Sequence, residues 1–474
     1  MRNFHIKSSL KTFIFVFTLG MTLTGAGELF VDGNLAKAQE VNLTKGMQSF
    51  KVEGMPVILR ETPSFADISS EIVSINLISY SGVEATPKAG ALELLSNVMV
   101  RGTYSYSKDK IDQILNRTGA SLSVRADFDE ISVNLKCLKR FLPELMPIVS
   151  EIVRVPNFDK KEIELSKEQQ MLELKSEQDS PDSLLSMLMH KVYYPTTHLY
   201  YQRPGGFLET VPGITKDDLT AALFKSFNQS NVFFVLVGPI SRAETEEMVS
   251  KHFKGLQKGE RSADFREQPV NSTAEVAFQK FDTPTDYFLA RFKVPSLENA
   301  EYPALALGLQ ILDSRFFEEV RSKRALSYAV SASVGNSKVN SGVMYVSSPK
   351  LTEAVKVMYD ELKKLQNEKV DDKTLKHQVN KALSSWYAAR ETRSSQARIF
   401  ALYENYGIGW ESADTYISRL EKVTPDQIQS AMKKYVKDMS YAVVASKPVD
   451  LSPILGTKAP ALAPAKPLSK PGAK

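Results

Sequence analysis

The chain has 474 residues, 43% of them hydrophobic and 24% charged, a composition that excludes a mainly disordered, collagen-like or disulfide-built protein and leaves room for two or more packed domains. Of the formal charge of +5, residues 1–38 contribute +2 and residues 447–474 contribute +4, so the body carries −1; that is too weak a positive field for a phosphate backbone, and nucleic acid is not an expected partner. The single cysteine, Cys137, rules out an intrachain disulfide and leaves histidines and carboxylates as ligands for any soft metal.

At the start, Arg2, Lys7 and Lys11 precede sixteen uncharged residues, 12–27, and Ala36-Lys-Ala38 follows with small residues at the spacing a signal peptidase reads. This predicts an export signal over 1–38 and a periplasmic location. The competing reading is an uncleaved anchor, but the run contains four threonines and is shorter than the roughly 20 residues that span a bilayer. Residues 73–80 then show the two-residue apolar rhythm of a half-buried strand, and Leu142, Leu145, Met146 and Val149 show helical spacing. Residues 258–273, charged and poor in apolar side chains, read as a linker. Beyond it, residues 342–347 repeat the strand rhythm, and Val355, Met358, Leu362 and Leu365 the helical one. The last 28 residues hold six prolines among alanines and lysines, which predicts a flexible tail over 447–474.

The two halves share a plan. Ile214-Thr-Lys-Asp-Asp-Leu219 recurs as Val423-Thr-Pro-Asp-Gln-Ile428 at an offset of 209, and each copy runs on into an apolar strand. Upstream, Phe158-Asp-Lys-Lys-Glu-Ile163 parallels Val370-Asp-Asp-Lys-Thr-Leu375 at an offset of 212. The threonine of the first pair reads as a helix N-cap region, because its hydroxyl can accept from a free N–H of the first turn. Strands mixed with helices that return over one face imply an α+β sheet-and-helix layer in each half. The expected division is 39–257, a linker at 258–273, and 274–446.

Most chemical signatures are missing: there is no phosphate loop, no nucleophile elbow and no cysteine pair. No two of the five histidines lie three or four apart, so a zinc site built from His at i and i+4 is absent. The segment Gly90-Ala-Leu-Glu-Leu-Leu-Ser-Asn-Val-Met-Val-Arg-Gly-Thr103 nevertheless resembles the signature helix of the pitrilysin or insulinase-type zinc peptidases, which include the mitochondrial processing peptidase. In that family, His-x-x-Glu-His stands nine residues ahead of the glycine of a Gly-Thr pair. Here those three positions are Glu93, Ser96 and Asn97.

On a helix these positions share one face; in the family two imidazoles there hold zinc while the carboxylate between them activates water. Seventy-six residues after Asn97, Glu173 and the following Asp179-Ser-Pro181 match the family's distant glutamate ligand and its Asp-x-Pro. Only that ligand position survives. Three oxygen ligands, Glu93, Asn97 and Glu173, fall short of the six or so a hard cation takes, and Ser96 supplies no general base. No metal is therefore expected on this chain.

In the second half, Phe317-Glu-Glu-Val-Arg-Ser-Lys-Arg-Ala-Leu-Ser-Tyr-Ala-Val330 resembles the family segment in which an Arg stands seven residues before a Tyr. There the pair reaches the substrate carbonyl at the zinc of the other half. Arg321 and Tyr328 keep that spacing, while Ala325 replaces a family glycine. The glycine-rich loop of the processing peptidase's non-catalytic subunit is replaced by Leu312-Asp-Ser-Arg315. A guanidinium and a phenol are donors suited to a carbonyl oxygen gaining charge. The other reading is structural: Arg321 salt-bridged to Glu318 or Glu319, and Tyr328 a buried strand aromatic.

The resemblance covers residues 45–446 and implies one half of a two-chain clamshell. It points to a non-catalytic, substrate-binding subunit in a heterodimer with a zinc-bearing homologue, with an extended peptide adding to a sheet edge, expected to be residues 73–80. Zinc belongs to the partner. The alternatives are a peptidase-like scaffold with no role in hydrolysis, and an independent hydrolase with an unrecognised site.

Overall fold

The computed structural model describes residues 44–63, 71–263, 265, 268–272 and 276–457, all within one compact unit; the segment read as an export signal lies outside them. No described helix is long and apolar enough to cross a membrane. In the first half, β1 (Met47–Val52), β2 (Met55–Glu61), β3 (Ile72–Ser79), β4 (Ser121–Ala126), β5 (Ile131–Leu138) and β6 (Val232–Gly238) form a sheet in the order β1-β2-β6-β3-β5-β4. In the second, β7 (Val276–Lys280), β8 (Asp286–Lys293), β9 (Ala329–Val334), β10 (Ser341–Ser348) and β11 (Ser440–Ala445) follow the order β7-β11-β8-β10-β9. Each sheet has one parallel pair, β2 with β6 and β7 with β11, and is otherwise antiparallel. Strands β2, β6, β3, β5 and β4 thus match β7, β11, β8, β10 and β9, with β1 added at one edge. The fold is the expected α+β, one topology used twice.

The matched sequence pairs do matched local work. Thr215 and Thr424 each cap a helix, Lys216–Ser226 and Pro425–Tyr435, and both caps are reciprocal: the hydroxyl accepts from the backbone of Asp218 or Gln427, whose side chain accepts from the threonine N–H at 2.7 or 2.9 Å. Asp159 and Asp371 likewise cap Lys160–Gln178 and Asp372–Ala388, each accepting a backbone N–H at 2.8 Å.

Each sheet packs one face on helices of its own half. The other face is covered by the opposite half. Along β6, Val232, Phe234 and Leu236 enter the first half's core, while Phe233, Val235 and Val237 pack with Trp386, Ala397, Phe400 and Ala401 of the second half. In return the first half's helix Pro181–Tyr193 lays Leu185, Met189 and Tyr193 against Leu289, Ala442 and Val444 of the second sheet. Burial on both faces is why β6 reads as an unbroken apolar run.

Three expectations need correcting. Residues 73–80 are not half-buried and not an edge: β3 lies between β6 and β5 and is buried along nearly its whole length, because the helix Arg393–Asn405 covers its far face. Leu312–Arg315 form no loop but the end of the helix Tyr302–Phe316. The tail does not begin at 447: Leu451 is fully buried, and Val449, Ile454 and Leu455 pack on the second core, apolar side chains that a proline-rich composition masks.

Candidate functional site

The signature helix runs Ala91–Met99 and starts at Gly90, whose φ of +93° suits a residue without Cβ. Backbone crowding requires the same of its neighbour, since a Cβ on Gly206 would stand 2.6 Å from the Gly90 Cα. The helix Lys160–Gln178 is fastened to it at both ends. Gln170 Nε2 donates to the carbonyls of Gly90 and Gly205 at 3.0 and 2.9 Å, and Arg101 reaches Glu162 at 3.2 Å. The frame that carries positions 93, 97 and 173 is therefore kept.

The side chains on that frame do not converge on a metal. Glu93 and Asn97 are half-buried, and Glu173 is exposed. Ser96 is buried at 3% exposure and turns its hydroxyl back on its own helix, donating to the Glu93 carbonyl at 2.8 Å. It cannot take a proton from a water held in front of the helix. Beyond the helix, the Gly102-Thr103 turn is held by Glu151, which accepts from the Thr103 hydroxyl at 2.7 Å and the Ser105 N–H at 2.9 Å.

In the second half, Phe317–Ser322 form a widened helical turn, closed by Lys323 N–H donating to the Glu318 carbonyl at 2.9 Å. The Arg321 guanidinium lies 4.9 Å from the Phe317 ring centroid and 4.4 Å from that of Tyr328. Phe317 is 50% exposed and Tyr328 82%. The structural reading of this segment is thus not what forms. Glu318 and Glu319 pair with Lys323 at 2.8 and 2.7 Å, and Glu319 also with Arg324 at 2.5 Å. Among the described residues no carboxylate pairs with Arg321. Hydrogen bonds from Arg324 and Lys323 hold Glu319 down to about 2. Ala325, at the family's glycine position, has φ +50°, a left-handed conformation that strains a side chain.

Two family models match. One, described as Insulinase (Peptidase family M16), covers residues 66–203 and the other, described as Peptidase M16 inactive domain, covers residues 213–382. The chain belongs to the insulinase family, M16. Among curated proteins it is 22% identical over 370 residues to the Non-peptidase homolog YmxG of Helicobacter pylori, covering 76% of this chain and 85% of that one. It is also 22% identical over 312 residues to the Zinc protease PqqE of the same organism, covering 64% and 66%. A crystal structure of a peptidase M16 inactive domain from Pseudomonas fluorescens aligns with a TM-score of 0.78 at 21% identity, over 85% of this chain and 98% of that one, which extends the likeness of fold.

The zinc of catalytic M16 members does not fit the residues present. Among the described residues no group of three or more His, Cys, Asp or Glu is placed to hold a metal, and the signature helix offers one carboxylate and one amide where imidazoles would bind. This is an M16 chain whose described residues carry the fold without the zinc-binding constellation.

Sequence reading missed two features. One open edge of the first M16 sheet, opposite β1, is β4, whose outer side pairs with no described strand and whose residues alternate exposed and half-buried; the alternation in Ser-Leu-Ser-Val-Arg-Ala was the available signal. Its counterpart β9 is blunted, because Asp313 accepts from the Ala332 N–H at 3.0 Å. The second is Phe317, which completes the Arg321 stack; nothing in its spacing marks it.

Proposed function

We propose that this chain is the substrate-binding, non-catalytic subunit of an exported zinc metallopeptidase, a heterodimer in which a homologous partner carries the zinc. One observation carries the reading: the zinc-side residues are replaced, while Arg321 sits half-buried between two exposed aromatic rings and unpaired with any described carboxylate. A guanidinium kept available in this way, beside the Tyr328 hydroxyl, has two kinds of donor to offer the carbonyl of a peptide held at the partner's site. The widened turn and the stack limit how far the guanidinium wanders, so less entropy is lost when it docks. An extended peptide would add its backbone to β4, reading main chain rather than sequence. Likeness to a non-peptidase homolog and to a zinc protease of one organism supports a paired system.

Export through residues 1–38 to a periplasmic location, and the division into 39–257, 258–273 and 274–446, belong to the same proposal. The test is reconstitution with a zinc-bearing M16 homologue from the same organism, read as cleavage of a fluorogenic peptide. Wild-type chain should raise the partner's rate at least ~10-fold, and Arg321→Ala should lose most of the gain with an unchanged thermal midpoint. A mixture no faster than the partner alone, or an Arg321→Ala chain as effective as wild type, defeats the reading.

A further inference from the structure

The turn between β4 and β5 and the turn between β9 and β10, equivalent in the two halves, meet each other. From the first, Asp129 and Glu130 are buried at 5% and 3% exposure. From the second, Lys338 reaches across: its backbone N–H donates to the Asp129 carboxylate at 2.9 Å, and its Nζ donates to the carbonyls of Tyr80 and Asp129 at 2.8 and 3.3 Å. The other Asp129 oxygen accepts from the Tyr200 hydroxyl. Glu130 pairs with Arg398 of the second half, and Asn405 donates to Glu130 at 3.3 Å.

A third carboxyl, Glu84, faces the same ammonium. One of its oxygens accepts from the Gly82 N–H at 2.9 Å; the other is buried and has no partner among the described residues. Three carboxyls therefore meet two cations. Arg398 is engaged by Glu130, so the Lys338 ammonium, held on the carbonyls of Tyr80 and Asp129, is the one cation that acts on both the Glu84 and Asp129 carboxyls. A buried excess negative charge is unfavourable and is relieved by taking up a proton. An oxygen without a donor is best tolerated there on a neutral carboxyl.

We propose that this junction is a proton-linked latch, in which Glu84 and Asp129 share one proton around Lys338 and holding it tightens the docking of turn 336–340 on the first half. Burial pushes Glu84 up to about 7 and Asp129 up to about 6, each against the pull of Lys338, and the two titrate as a pair. Asp127 faces Asp129 from its own turn, while the neighbouring Glu130 is offset by Arg398 from the opposite half. The Tyr194, Tyr200 and Tyr406 phenols around it are all raised by burial, so they stay neutral. Lys225 donates to the Glu84 carbonyl, not to its carboxyl. Both carboxyls lie above their ordinary values of 4.5 and 3.8. Their contribution is then complete below those values and is lost as pH rises through about 6 to 7.

Hydrogen exchange on the full chain from pH 5 to 8, corrected for the intrinsic pH dependence of exchange, tests this in peptides spanning 127–131 and 336–341. The opening constant of both should rise with pH from the ordinary carboxylate values up to about 7, by up to ~10-fold per unit, and level off above it. Glu84→Gln, a fixed neutral form, should abolish the dependence and keep protection at pH 8. Lys338→Met, which leaves the carboxyls without their cation, should move the rise to higher pH. Corrected exchange that is flat in the wild type, or a pH curve left unchanged by either variant, overturns the latch.

Discussion

Replacing Phe400 by alanine probes how the two halves are held together. The ring is fully buried on the helix Arg393–Asn405, a second-half element, yet it packs with Ile58, Ile78, Phe233, Val235 and Val237 of the first sheet, and no strand of the second sheet enters that cluster. Truncation leaves a cavity between halves whose backbones are fixed by their own sheets and cannot collapse into it, so a loss of ~3–5 kcal/mol is expected, the usual range for a buried Phe→Ala change. Because most of the lost contacts lie on β3 and β6, the amide exchange of these strands should accelerate by roughly 100-fold or more. The control is Phe292→Ala, equally buried but inside the second half's own core. It should cost a similar amount without selectively exposing β3 and β6. Urea unfolding gives the first quantity and hydrogen exchange the second. A loss under ~1 kcal/mol, or β3 and β6 exchanging as in wild type, would refute the idea that each half completes its core with the other's helices.

Other substitutions test smaller links. Ala325→Gly should raise stability by about 0.5 kcal/mol, since relief of ~1–2 kcal/mol of left-handed strain is partly offset by the greater backbone entropy of glycine; a denaturant midpoint that falls instead would contradict the strain. Thr215→Ala and Thr424→Ala should each cost ~1 kcal/mol and add in the double variant, because the two caps lie in separate halves. His190, buried at 7% exposure among aromatic rings, is pushed down to about 3, chiefly by burial. The fold thus favours the neutral ring, and the stability this gives above pH 6.5 is lost as pH falls toward about 3. By pH 5 the loss should reach about 2 kcal/mol, and it should be missing from His190→Phe in unfolding titrations.

The duplication was legible because its markers act locally. Thr215, Thr424, Asp159 and Asp371 cap the helices they precede, and a cap needs only the next three residues. The lost zinc site was equally legible, since Glu93, Ser96 and Asn97 are read directly against a fixed spacing. What escaped depends on distant partners. β3 reads as an edge because nothing near it in sequence announces that a helix more than 300 residues away, Arg393–Asn405, covers its outer face. The pairing of Arg321 could not be decided from spacing, since Glu318 and Glu319 are closer in sequence than Tyr328; the widened turn gives those carboxylates to Lys323 and Arg324. The docking of residues 449–455 rests on Leu451, one buried leucine in a stretch whose average composition predicts none.

The most direct measurement places the purified chain, zinc and a fluorescently labelled extended peptide in one cuvette, with anisotropy reporting binding and mass spectrometry reporting integrity. The predicted result is a peptide that is held, held less well by Arg321→Ala, and recovered intact. A peptide cut by the isolated zinc-loaded chain would contradict the reading of the replaced signature helix, and one that never binds would contradict the reading of the Arg321 stack.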